Sequence, residues 1–201
     1  PALKARLARF ADRIAEVLAG DWDEVLVVGH SSGAYLGVSV LAELIRSGRV
    51  PAQGPRLSYL SLGHVVPMAS FLPRADRLRA DLRFLSARGE LDWIDVTAPG
   101  DACCFGLCHP VAVSGVEPPG RRHPLVLSAA FTQTLSPQKR RALRGRWFRL
   151  HFQYLCAFDR PGAYDWFAIT AGPLTLRDRF AGRPHSPRRV TRALSPYRDR
   201  A

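Results

Sequence analysis

Apolar positions follow two rhythms along this chain, and their alternation sets the expected architecture. Leu3, Leu7, Phe10, Ile14 and Val17 recur at three and four, with Lys4, Arg6, Arg9, Arg13 and Glu16 between them; this is one face of a helix over 3–18. Gly20 offers a left-handed stop, and Asp21-Trp22-Asp23 the turn that follows. Val25 to Val28 then run unbroken, as a strand buried in a parallel sheet requires. Helical spacing returns at Tyr35, Val38, Leu41, Leu44 and Ile45 and ends near Ser47-Gly48, before Pro51. Arg56 to Leu62 reads as a strand, and Val65 to Leu72 as an apolar loop between glycine and proline. Arg74 to Arg88 reads as a helix closed by Gly89, and Leu91 to Thr97 as a third strand. Strand, helix, strand, helix, strand with short joins implies right-handed crossovers. The expected class is α/β: a mostly parallel sheet with helices on both faces.

Beyond Asp101 the pattern loosens. Residues 102–124 hold several prolines and glycines and read as a long loop, a lid over whatever lies at the strand ends. Leu125 to Phe131 reads as a strand, and Ser136-Pro137 opens a basic helix to about Gly145, serine as cap and proline in the first turn. Trp147 to Phe158 and Tyr164 to Thr170 are aromatic and apolar, and Leu174 to Phe180 suits a short helix. From Arg183 the composition is that of a flexible tail. The expected organisation is one domain over 1–182 with a basic tail over 183–201, and no internal repeat.

With 201 residues, 47% of them hydrophobic, the chain suits a single core and excludes the disordered and collagen-like classes. No run of about 18 apolar residues suggests a spanning helix, and no signal-peptide core opens the sequence. It starts with Pro1 rather than methionine, so upstream sequence is expected. Cys103, Cys104, Cys108 and Cys156 are too clustered for a disulfide scaffold and read as reduced thiols of a cytoplasmic protein. The spacing of Cys104, Cys108 and His109 matches no common zinc pattern, so no metal is expected.

The net charge of +12 is uneven: residues 1–120 carry 12 basic and 13 acidic side chains, residues 121–201 carry 17 and 4. Such an arginine excess can hold phosphates or anionic lipid heads. It lacks the aromatic interleaving and motif of a nucleic-acid module, so no specific nucleic-acid partner is expected.

The chemistry concentrates at Gly29-His30-Ser31-Ser32-Gly33, a G-x-S-x-G between the valine strand and the helix after it. Gly29 and Gly33 remove β-carbons where the chain doubles back, and Ser31 sits on a strained turn with a helix N-terminus aimed at it. Ser31 is thus a candidate nucleophile, and the Ser32 N–H a candidate oxyanion donor. The alternative is a strand-to-helix turn with a passive serine.

In this context the pattern resembles the nucleophile elbow of the α/β-hydrolase superfamily. That resemblance implies a chain order of serine, acid, histidine. The acid is expected at Asp101, past the Pro99-Gly100 turn that follows the second strand after the elbow strand, with Asp95, inside that strand, in reserve. Of the later histidines, His123 and His185 lie in arginine-rich loops. His151, in an apolar segment, is either the base or a satisfied core group, and His109 is the runner-up. His64, just after a strand, reads as a local hydrogen-bonding group. The superfamily draws its second oxyanion donor from a loop two strands before the elbow, and only one helix precedes it here, as in a truncated version. The expected function is a cofactor-free serine hydrolase acting on carboxylic esters, lipid or acyl esters among them. The alternative is a non-catalytic domain of the same fold that binds an acidic partner or an anionic membrane through its arginine-rich C-terminal part.

Overall fold

Four strands form the centre of the computed structural model, which describes residues 2–200; Pro1 and Ala201 lie outside it. In chain order the elements are α1 (Ala2–Leu18), β1 (Glu24–His30), α2 (Gly33–Arg46), β2 (Arg56–Leu62), α3 (Val66–Ser70), α4 (Asp76–Ser86) and β3 (Leu91–Thr97). They continue with α5 (Pro110–Val113), β4 (Leu125–Ser128), α6 (Phe131–Thr134), α7 (Pro137–Leu143), α8 (Trp147–His151), a 3-10 turn (Phe152–Leu155), α9 (Trp166–Thr170) and α10 (Leu176–Phe180). Every strand pairs in parallel with the next, in the order β1-β2-β3-β4. This is an α/β fold with an all-parallel sheet.

Because strand side chains alternate between faces, β2 and β3 each feed two cores. Leu57, Tyr59, Leu91 and Trp93 join the buried side chains of α1, α2 and α4. Leu60, Leu62, Ile94 and Val96 face the other way, onto Phe131, Tyr154, Tyr164, Ile169, Leu176 and Phe180. Both faces are therefore covered, which is why the strands read as unbroken apolar runs. Each fully buried leucine or valine contributes about 1.5–3 kcal/mol. The second face is covered by short helices that follow β4, whose four to seven residues complete no more than two helical turns.

Three expectations change. Val65 to Leu72 is not a loop: α3 forms within it, with Pro67 in the first turn, where its missing N–H costs nothing. Residues 102–124 do not form a lid, because Pro110, Val111, Ala112 and Val113 of α5 are all buried and α5 packs against α4. The last strand ends at Ser128, and Ala130 turns left-handed (φ 47°) to start α6 at Phe131.

The arginine-rich segment after Gly182 runs along the body and is tied to it by backbone groups. Ser186 N–H donates to Val126 carbonyl (2.9 Å), Val190 N–H to Leu107 carbonyl (2.9 Å), and Ser195 N–H to Val113 carbonyl (3.0 Å). Buried Arg79 donates to the Asp199 carbonyl at 2.6 Å. Composition marked this segment as a flexible tail, but these ties use main-chain atoms, which composition does not record. Among the described residues no helix is long and apolar enough to cross a membrane.

Candidate functional site

β1 carries the chain to the rim of the sheet, and the next residue bends sharply. Ser31 has φ 58°, in the left-handed region that non-glycine residues rarely occupy. Holding a serine there costs on the order of 1–3 kcal/mol, which surrounding contacts must offset. Ser31 N–H donates to Leu62 carbonyl at the end of β2 (2.9 Å), and Ser31 carbonyl accepts from Ala34 N–H (3.1 Å). Buried Tyr59 pins the start of α2 by donating its hydroxyl to Ala34 carbonyl at 2.5 Å.

The two motif glycines differ. A β-carbon on Gly29 would lie 2.7 Å from both the Gly33 carbonyl oxygen and the Tyr59 hydroxyl, so no side chain fits there. A β-carbon on Gly33 would meet nothing within 4 Å, which corrects the expectation that both relieve a clash. Gly37, one turn into α2, is the second position closed by Tyr59, at 2.6 Å. Ser32 stands at the N-cap of α2 with helical dihedrals (−65°, −26°) and is exposed. Its N–H donates to no main-chain carbonyl among the described residues.

Asp101 follows β3 on the same rim. Its Oδ2 accepts from His151 Nδ1 at 2.7 Å and from the Tyr154 hydroxyl at 3.0 Å, while Oδ1 accepts from Cys103 N–H at 2.9 Å. Burial alone would raise this carboxyl, but the bonds from His151, Cys103 and Tyr154 together hold it below the ordinary aspartate value. His151 ends α8, and Tyr154 follows three residues on in the 3-10 turn, so one short segment presents both donors to one carboxylate.

The imidazole of His151 is wedged in place. Gly63, left-handed at φ 51°, lies beneath it: a β-carbon there would come 2.8 Å from the Tyr154 ring and 3.1 Å from His151 Cε1. The ring of His30 sits 4.5 Å from that of His151, and His30 Nε2 donates to the His151 carbonyl at 2.9 Å. Burial holds His30 below the usual histidine range, although this carbonyl bond pulls it up. His151 Nε2 is buried and has no hydrogen-bond partner, so no hydrogen bond joins it to the Ser31 hydroxyl.

The structure thus brings Asp101 and His151 into direct contact and sets His151 against His30, the neighbour of Ser31. It keeps the other candidates apart. Asp95 is sealed within β3, where its Oδ1 accepts from Ser61 Oγ at 2.5 Å. His64 is fully buried, with Nε2 donating to Cys108 carbonyl at 2.9 Å, in keeping with a local hydrogen-bonding role. His109 caps α5 and is bonded to Arg121; burial, then the Arg121 charge, lowers it to about 3. His185 accepts from Val126 N–H at 3.0 Å. All four cysteines are free. Among the described residues the donor atoms that converge within 4.8 Å are those of Asp101, Cys103 and His151, not those of Cys104, Cys108 and His109.

Sequence reasoning missed His30, Gly63 and Tyr154. His30 was in plain view inside the motif, and Tyr154 lies three residues after His151, a helical neighbour. Nothing in the sequence marked Gly63, whose role depends on which ring lies above it. The chain matches no protein-family model, no curated protein and no solved structure.

Proposed function

We propose that this chain is a serine hydrolase of carboxylic esters, built as an α/β-hydrolase-like site. The observation that carries the reading is the 2.7 Å bond between Asp101 and His151 on the rim that presents Ser31 at φ 58°. Ser31 Oγ attacks the ester carbonyl, and its proton passes to His151 Nε2. Asp101 holds Nδ1–H and stabilises the imidazolium that forms. The Ser32 N–H faces the developing oxyanion from the start of α2, with the positive end of that helix behind it. His151 then returns the proton to the leaving alcohol, and water, activated by the same imidazole, frees the acid from Ser31. These steps need no cofactor.

β1 is an edge strand, so among the described residues no further strand lies beside it to supply a second oxyanion donor. Lack of one such donor costs about 100- to 1000-fold in turnover. Slow ester turnover with intact Ser31 chemistry is therefore expected. A fluorophosphonate probe tests this directly: it should label the chain at Ser31 and leave Ser31→Ala unmodified. Equal labelling of the variant, or none of the folded wild type, would overturn the proposal.

A further inference from the structure

The residues that lead into His151 form the most unusual surface of the molecule. No acidic residue occurs between Glu117 and Asp159, and Lys139, Arg140, Arg141, Arg144, Arg146 and Arg149 crowd into 11 positions of that gap. None of these five arginines makes a salt bridge among the described residues. Among them stand Trp147, Phe148 and Phe152, exposed by 57%, 75% and 50%. The aromatic interleaving that the arginine-rich half lacks as a whole is present at this one place. Large apolar side chains left in water beside unpaired cations mark a surface meant to be covered.

Behind Trp147 lies a cavity of about 230 Å³ whose walls include Phe131, Leu135, Leu143 and Leu150. Gly100, the neighbour of Asp101, lines its other end. On the far side of His151, the Phe152 ring packs 4.8 Å from His30. The exposed face and the cavity therefore both border the Asp101–His151 site.

We infer that the 139–152 face docks on an anionic phospholipid surface. Guanidinium groups bind headgroup phosphates through paired donors. Trp147, Phe148 and Phe152 suit the boundary between headgroups and acyl chains, where aromatic side chains concentrate. Leu135, Leu143 and Leu150 give the cavity aliphatic walls that suit an alkyl tail, and Arg140 and Arg144 at the same cavity suit the phosphate that such a tail carries. Docking places the Asp101–His151 rim against the bilayer. It extends the ester-hydrolase reading without depending on it.

Co-sedimentation of the full chain with vesicles of phosphatidylcholine alone, or with 30% phosphatidylglycerol, about as in anionic membranes, tests this. Binding to the anionic vesicles, at least tenfold above neutral ones and weakening with salt, is expected. It should fall at least tenfold in Trp147→Ala/Phe148→Ala and be lost in Arg144→Glu/Arg146→Glu/Arg149→Glu. Lys4→Glu/Arg6→Glu/Arg9→Glu, which makes the same change in charge on α1, should bind as wild type. Equal loss in the α1 variant would reduce the effect to net charge and overturn the proposal. So would tighter binding to single-stranded RNA than to anionic vesicles, or a Phe148-dependent dimer in light scattering in place of vesicle binding. Fluorophosphonate labelling of Ser31 is read separately, so failed docking and failed catalysis are told apart.

Discussion

Two aspartates six residues apart, each beside a histidine, have opposite surroundings. Asp101 lies at the rim, where His151, Tyr154 and Cys103 aim donors at its two oxygens. Asp95 lies inside β3, where Ser61 bonds Oδ1 and Trp93 Nε1 in turn donates to Ser61 at 2.9 Å. Its Oδ2 is buried without a partner, 3.6 Å from His64 Nε2, which is bonded to the Cys108 carbonyl. The result is a carboxyl lowered at the rim and a carboxyl raised by burial within, where the pull of His64 and the Ser61 bond offset only part of the cost. An aspartate and a histidine brought close therefore do not by themselves fix the state of the carboxyl. What separates the two sets is how many donors meet the charge.

The sharpest way to break the comparison is to neutralise each carboxylate in turn. Asp101→Asn should lower the rate of Ser31 labelling by about 10²- to 10⁴-fold, the usual range for a disabled acid–base pair. Asp95→Asn should leave that rate within about twofold, because its side chain touches neither Ser31 nor His151. If Asp95→Asn is the more damaging in labelling kinetics, the assignment of roles is reversed.

A backbone change between the two sets sharpens it next. Gly63 joins Leu62, which holds Ser31 N–H, to His64 of the sealed set. Gly63→Ala would press on the Tyr154 and His151 rings from a left-handed position. It should cost about 1–3 kcal/mol in denaturant unfolding and slow labelling of Ser31 in the folded fraction. Wild-type stability and labelling in this variant would remove the proposed wedge.

The smallest effect is a pair of opposite pH dependences. Asp101 is lowered on folding from an ordinary value of 3.8, so its contribution to stability is full above about pH 4 and is lost as pH falls through its folded value. Asp95 is raised from the same value, so its penalty is absent at low pH and grows as pH climbs from 3.8 toward its folded value. The stability gap between wild type and Asp101→Asn should thus shrink on acidification below pH 4. The gap between Asp95→Asn and wild type should grow as pH rises above it. Urea melts at several pH values read both, and parallel curves for the two variants would contradict the contrast.

Much of this was legible along the chain. Arg56 to Leu62 and Leu91 to Thr97 announce buried strands because both faces of a covered parallel sheet must be apolar, Val25 to Val28 announce a strand but not its edge position, where Val28 is exposed, and α1, α2 and α4 show their inner face at helical spacing. The bend at Ser31 came from the G-x-S-x-G between strand and helix, and the choice of Asp101 and His151 as the pair to watch came from the resemblance to the α/β-hydrolase superfamily. Of the helices after β4, α7 and α10 were legible from the Ser136-Pro137 cap and the Leu174 to Phe180 stretch, whereas α6, α8 and α9 are too short to complete a hydrophobic period.

What the amino-acid order determined by itself was local: which stretches bury a face, where a serine must turn, which side chains are rich in charge. Only the tertiary structure decided what met what. It gave Asp101 and Asp95 their different donors, placed His30 and Gly63 around the imidazole, and tied the segment after Gly182 to β4 and α5. Burial and hydrogen-bond count depend on neighbours distant in sequence, and those two quantities set the state of each carboxyl.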